Sequence, residues 1–290
     1  MILVTGATGH LGKATAKHLL KAGGKDGFAV MARDPAKAAD LAAEGVEVRQ
    51  GDFDKPQDLG AAFDGIETLF FVSTASENRT EQQAAVVEAA VKAGIRNIVY
   101  TGVAMKDIPN AATGKEMMAH THTEEAIRAS GLGHTLLRNT VYADVIPDFA
   151  GPALLSQGIA LPVGQGKAPF ALRDELGEAS AKLLLANRHE GKVLTLTSKT
   201  AWSFDDIAKA LSKMTGKDLP YKDIAPSVLK EQLSSFGLHD FMIGLILGTL
   251  EDIRSGQYDQ VSDDLETLLG RPPLDLNPLL KTVVPDLSAA

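Results

Sequence analysis

The first twelve residues, MILVTGATGHLG, place three glycines at positions 6, 9 and 12. Ile2-Leu3-Val4 ahead of them is a short apolar run suited to a buried parallel strand. Leu11, Ala14, Leu19 and Ala22 behind them recur at helical spacing. In a strand–turn–helix unit, Gly6 permits the tight turn and Gly9 lets the backbone approach a pyrophosphate. Gly12 lets the helix pack close to the strand. The helix N-terminus adds free N–H donors and partial positive charge. Thr8, His10 and Leu11 lie in the same turn. The segment therefore reads as a dinucleotide phosphate cradle. Its bland rival is an ordinary glycine-rich βα turn, and the βα repeats that follow favour the cradle.

The end of the second strand discriminates between dinucleotides. An acidic residue there accepts from the ribose hydroxyls, whereas an arginine pairs with a 2′-phosphate. Here it reads Met31-Ala32-Arg33-Asp34. Arg33 is placed to stack on adenine or hold the phosphate, against the alternative of a solvated surface arginine. Asp34 precedes Pro35, so a helix N-cap explains it better than a ribose contact. NADPH is expected, with NADH left open. Asp52-Phe53, read as the end of the third strand, is expected near the adenine. Val72-Ser73 at the end of the fourth strand is expected along the ribose and nicotinamide, although Phe71 and Val72 also suit plain core.

These positions need a scaffold, and the first half of the chain supplies one. Strands are expected at 28–31, 46–48, 68–72, 98–100 and 134–137, with helices between them, the firmest over 81–93. Gly65 and Gly94 sit where helices should stop. Regular alternation implies an α/β fold with right-handed crossovers, a doubly wound parallel sheet of Rossmann type, and ligands at the carboxyl ends of its strands. Near Pro147 the pattern changes, and Gly and Pro become frequent over 151–169. A helix over 173–186, a strand over 193–197, a helix over 203–214 and a mostly helical stretch over 226–269 follow. We read residues 1–146 as the dinucleotide-binding domain and 147–290 as a smaller, mostly helical substrate lobe, with segments of the two free to interleave. A cleft between the lobes is the expected substrate site.

Composition narrows the function. The 290 residues are 44% hydrophobic and 23% charged, a globular balance, with a net charge of −8. That charge argues against nucleic acid or an anionic membrane as partner. There is no cysteine, which excludes disulfides, thiolate metal sites and a cysteine nucleophile and suits a reducing cytoplasm. No signal peptide or membrane span is expected. The seven histidines show no zinc spacing, so no metal is expected.

The motifs TGATGHLG, DPAKA, the Gly51-Asp52 pair and EEAIRASG followed by HTLLRN resemble the extended and atypical short-chain dehydrogenase superfamily. Tyr100-Thr101-Gly102, Ala119-His120 with His122, Leu137-Arg138-Asn139 with Tyr142, Ala201-Trp202-Ser203-Phe204-Asp205 and Ser262-Asp263-Asp264-Leu265 resemble its NmrA-like branch, in particular the quinone- and triphenylmethane-reducing members. The resemblance spans essentially the whole chain and is least clear over 104–115.

The superfamily usually carries a catalytic Tyr-x-x-x-Lys, whose lysine lowers the tyrosine pKa for proton exchange with a carbonyl. Set against that motif, Glu116 stands in the tyrosine position and His120 in the lysine position. Thr101-Gly102 replace the serine. The resemblance therefore implies hydride transfer to an acceptor that needs little acid assistance: a quinone, whose product is a stabilised phenolate, or a cationic triarylmethane dye, which hydride neutralises. Such an enzyme needs mainly a planar apolar slot over the nicotinamide. His120 is the expected contact to the acceptor oxygen or the nicotinamide ribose, with Glu116 on the same helix face. Both also suit an ordinary helix surface. His122 and Arg138 are expected to be structural, the latter as an ion pair. Thr101, Gly102 and Asn139 are expected at the cofactor, and Tyr142 and Phe149 at the wall of the slot. The alternatives are a non-catalytic NmrA-like redox sensor, or a reductase of another electrophile such as an imine, nitro or azo compound or activated alkene. Oligomeric state is not written in these motifs.

Overall fold

The computed structural model describes residues 1–186, 191–284 and 287. Seven parallel strands form the central sheet: β1 (Ile2–Val4), β2 (Phe28–Ala32), β3 (Glu47–Gln50), β4 (Thr68–Val72), β5 (Asn97–Val103), β6 (Gly133–Asn139) and, after two short strands β7 (Ile159–Leu161) and β8 (Lys167–Ala168), β9 (Lys192–Leu196). Their order is β3-β2-β1-β4-β5-β6-β9. The chain starts in the middle, winds to one edge, then crosses to the other, so the switch point lies between β1 and β4.

Both faces of the sheet are covered, which is why β2 is buried at every position and reads as a continuous apolar run. Successive side chains alternate between faces. Val4, Val30, Phe70 and Leu137 join one core, with Leu11 and Leu19 of α1 (His10–Gly23) and Leu176 and Leu184 of a helix at Arg173–Ala186. Leu3, Ala29, Leu69 and Leu136 join the other, beneath α3 (Leu59–Phe63), α4 (Arg79–Lys92) and α5 (Gly114–Ala129), which follow β3, β4 and β5, whereas α2 (Ala39–Ala43), after β2, adds Leu41 to the first core. Asp34 caps a short 3₁₀ turn, accepting from the Ala36 N–H at 3.1 Å with Pro35 leading, as expected.

The third strand ends at Gln50, so Asp52 and Phe53 lie in the loop beyond it and not at its end. The strand expected at 193–197 joins the main sheet as β9, beside β6, and Leu196 packs into the first core. Between them run α6 (Ile146–Ala150), α7 (Leu154–Gln157) and α8 (Arg173–Ala186). Helix α8 lies so close to α1 that a Cβ on Gly177 would come within 2.7 Å of the Ala14 side chain. A third core gathers β10 (Trp202–Ser203), α9 (Phe204–Thr215), β11 (Tyr221–Asp223), α10 (Pro226–Ser235), α11 (Asp240–Arg254) and, past α12 (Asp264–Leu269), α13 (Leu276–Val283). Among the described residues no helix is long and apolar enough to cross a membrane.

Two devices position the site. At the switch point, side chains take over from the ladder. The Thr5 hydroxyl donates to the Phe70 carbonyl at 3.1 Å and accepts from the Val72 N–H at 2.9 Å, and Thr101 Oγ1 accepts from the Ser73 N–H at 3.0 Å. Farther out, Asp252 of α11, fully buried, accepts from the Ala112 N–H at 2.6 Å, the Thr113 N–H at 3.0 Å and the Thr113 hydroxyl at 2.5 Å. That carboxylate ties the C-terminal helices to the start of α5 with charge-assisted bonds.

Candidate functional site

A cavity of about 420 Å³ lies over the switch point. Its floor is the glycine turn. Gly6 has φ +64°, a left-handed conformation, and a Cβ there would meet Val72 at 3.1 Å. A Cβ on Gly12 would fall on the Gly6 carbonyl oxygen and come within 2.7 Å of the Thr5 oxygen. Helix α1 then begins with Gly9 as N-cap, no capping side chain and no acidic residue in its first turn. Its first N–H groups are left free for an anion. Arg33, Asp52, Phe53, Val72 and Ser73 complete the expected wall.

The loop after β4 forms the outer wall. Asp54 accepts from Gln82 Nε2 at 2.6 Å and Asn78 Nδ2 at 3.0 Å, and Gln82 Oε1 accepts from the hydroxyls of Ser76 at 2.7 Å and Thr74 at 3.0 Å. These bonds to neutral donors hold the Asp54 carboxyl below the usual range. Sequence reasoning missed this network. The helix expected over 81–93 left residues 76–80 unread, and local pattern gives no sign of bonds to Asp54.

A second cavity, about 370 Å³, opens beyond Ser73, Thr74 and Ala75, which line both. Tyr142 and Phe149 line it, together with Gly102 and Asn139, which the sequence assigns to the cofactor and which do not line the first cavity. Met242, Leu245, Ile246 and Thr249 of α11 form the facing wall, a contribution not foreseen, although their i, i+3, i+4, i+7 spacing is a second apolar face on that helix. The Arg173 guanidinium stacks 4.4 Å from the centre of the Tyr142 ring. Two buried atoms at the sheet end of this chamber, Asn139 Oδ1 and Thr140 Oγ1, have no partner among the described residues. An unpaired buried carbonyl oxygen next to a cleft suits a ligand amide N–H. With the glycine cradle next door, the residues fit a pyridine dinucleotide.

His120 is only 6% exposed and lines the chamber, so the helix-surface alternative is excluded. Its ring is engaged within the protein. Arg79 Nη1 lies 3.2 Å from Nε2 and Tyr100 Oη 2.7 Å from Nδ1. An arginine only donates, so Nε2 accepts, and the neutral ring carries its proton on Nδ1 toward Tyr100. Tyr100 donates onward to Gln83 Oε1 at 2.7 Å, where the Thr123 hydroxyl also donates. Burial, reinforced by Arg79, lowers the His120 pKa to about 3. The expectation that His120 donates to an acceptor oxygen is therefore corrected: neither nitrogen has an N–H to spare.

Two further expectations change. Glu116 is half-buried and lines neither cavity, so it is not placed for chemistry. Thr101 lines neither cavity either, because its hydroxyl is spent on the Ser73 N–H. Arg138 does form an ion pair, bidentate to Glu124 at 2.6 and 2.9 Å, and His122 is exposed. Arg79 went unnoticed in sequence.

A doubly wound sheet with a glycine cradle at its switch point defines a dinucleotide-binding protein of the Rossmann class. Residues 1–267 match the NmrA-like family, and the chain belongs to it. Quinone oxidoreductase 2 of Escherichia coli is 33% identical over 274 residues, 94% of each chain. The structure of the Citrobacter sp. triphenylmethane reductase complexed with NADP(H) is similar at a TM-score of 0.89 and 32% identity, covering 98% of this chain and 99% of that one. The NADPH complex of an NADPH-dependent quinone oxidoreductase from E. coli is similar at 0.90 and 31%, with the same coverage.

Proposed function

We propose that the protein is an NADPH-dependent oxidoreductase that passes hydride to a planar, electron-poor acceptor, a quinone or cationic triarylmethane dye. One observation carries this: a nucleotide cradle opens across Ser73–Ala75 into a largely apolar chamber that holds no activated acid. The NADP(H) and NADPH complexes of similar proteins support the choice of cofactor.

Bound NADPH supplies the hydride. The free N–H groups at the start of α1 would hold its pyrophosphate, Arg33 would pair with its 2′-phosphate, and the unpartnered Asn139 Oδ1 would accept from its carboxamide. Tyr142, Phe149 and the face of α11 exclude water and orient the acceptor. Tyr100 is no proton donor to it: burial raises its pKa, and its hydroxyl is committed to Gln83. Burial raises Tyr142 as well, and among the described residues no lysine lines either cavity to reverse that. An acceptor that needs strong acid assistance is poorly served here. The cysteine-free composition suits a reducing cytoplasm.

The test is NADPH oxidation followed by absorbance with benzoquinone, a naphthoquinone and one triarylmethane dye, corrected for the uncatalysed reaction. Enzyme-dependent turnover with at least one acceptor is expected. Tight NADPH binding without turnover on any would replace the reductase with a redox sensor.

A further inference from the structure

Among the described residues, the acceptor chamber is lined by two cations, Arg79 and Arg173, and no carboxylate. Arg173 is half-buried and rests on Tyr142. Arg79, the first residue of α4, is the unusual one. It is 6% exposed, and among the described residues no acidic group lies within ion-pair distance of it. Burial lowers its pKa, against smaller opposing influences through space from Tyr100 and then Glu116. Arginine stays protonated regardless. Of its five N–H groups, one makes a bond among the described residues, to His120. The relay His120–Tyr100–Gln83 behind it is neutral throughout and fixes the guanidinium from the rear.

Buried charges are ordinarily paired, because desolvation without a counter-charge is costly. We propose that the counter-charge of Arg79 is the one that develops on the acceptor, so that Arg79 stabilises an oxyanion and tunes the chamber to neutral quinones over cationic dyes. The proposal rests on the reductase reading. A quinone that takes a hydride, two electrons with one proton, from NADPH gains a negative charge. The oxygen opposite the one that receives hydrogen is left as a phenolate, NADP⁺ is the oxidised product, and a solvent proton completes the hydroquinone. A fixed guanidinium facing that oxygen is attractive only as the charge forms, which is the condition for lowering a barrier. A triarylmethane cation gains the same hydride and becomes neutral. For that substrate the same guanidinium repels the ground state and offers the product nothing. Arg79 lines the chamber and not the phosphate cradle, so it meets the acceptor and the nicotinamide end of the cofactor and not the phosphates.

The experiment compares Arg79→Gln and Arg79→Lys with the wild type, on a neutral naphthoquinone and on a cationic triarylmethane dye, at saturating NADPH. Arg79→Gln should lower quinone kcat/KM by about 10²–10³-fold, the usual effect of removing one oxyanion donor. Dye turnover should be unchanged or faster, and Arg79→Lys, which keeps the charge, should recover most of the quinone rate. Equal losses on both acceptors in both variants, or losses traced to weaker NADPH binding, would overturn the proposal. A second readout needs no turnover. 4-Nitrophenolate, a stable phenolate, should bind the NADP⁺-loaded wild type about tenfold or more tightly than Arg79→Gln by equilibrium dialysis. Equal or absent binding also overturns it. If the wild type reduces no acceptor, the reductase reading fails, while the phenolate binding still decides the role of Arg79.

Discussion

The cradle and the acceptor chamber adjoin but are built by different means. Most of the cradle is backbone, from residues adjacent in sequence: Gly6 to Gly12 make the turn, and the start of α1 provides the donors. The chamber is made of side chains from separate parts of the chain, the ends of β5 and β6, helix α5, Arg173 and helix α11. A site made of backbone is specified by where side chains are absent. A site made of side chains is specified by which distant segments meet, so its chemistry depends on tertiary packing.

The contrast breaks most severely at Gly12. In Gly12→Val the new side chain meets the Gly6 and Thr5 backbone, which cannot rotate aside. Overpacking costs roughly 1–3 kcal/mol, and against backbone the upper end of that range applies, so NADPH affinity should fall by about 10²-fold in a fluorescence titration. Retained affinity would mean that α1 can slide away from β1. Next comes Arg33→Ala, which should weaken NADPH by about 10–100-fold, the worth of a charge-assisted bond, and leave NADH nearly unchanged. Parallel losses would remove the 2′-phosphate from the account. On the chamber side, Ile246→Trp should raise the KM for acceptor by about tenfold with NADPH affinity intact, a pocket-filling effect of ordinary size. A matching change in NADPH affinity would show that the halves are not separable.

The smallest effect is a pH slope. His120 titrates near 6.5 when unfolded and at about 3 when folded, because it is buried beside Arg79. As pH falls below 6.5 the unfolded chain takes up a proton that the folded chain refuses. The stability His120 lends is complete above pH 6.5 and is lost toward pH 3. One such group contributes at most about 1.4 kcal/mol per pH unit. Thermal unfolding of His120→Asn should therefore be less acid-sensitive than the wild type between pH 6.5 and 5, the upper part of that window. An unaltered slope would mean that water reaches the ring.

Much of this was readable in the chain itself. The apolar run Thr68–Val72 is strand β4 to the residue, and α8 spans the expected 173–186, because a two-sided sheet and an apolar helix face leave strong local patterns. Asp34-Pro35 announced its cap for the same reason. What local pattern does not hold is pairing. Val193 to Leu196 is plainly a strand, yet its alignment with β6 depends on residues far away. Burial of polar groups is equally long-range. His120 sits among Lys115, Glu116, Thr121 and Glu125 and has the look of a surface residue, until α4 closes over it with Arg79. Arg79, the charged residue whose burial matters most, lies just ahead of the helix expected over 81–93 and carries no local sign of burial.

Ser73, Thr74 and Ala75 form the wall between the two halves, and they are small, with the backbone pinned by Thr101. So little is shared that inherited change on one side scarcely reaches the other. Acceptor range can drift through Met242, Leu245, Ile246 and Thr249 while electron supply stays constant. For the same reason, a variant library confined to those four positions of α11 would explore new oxidants without losing the nucleotide.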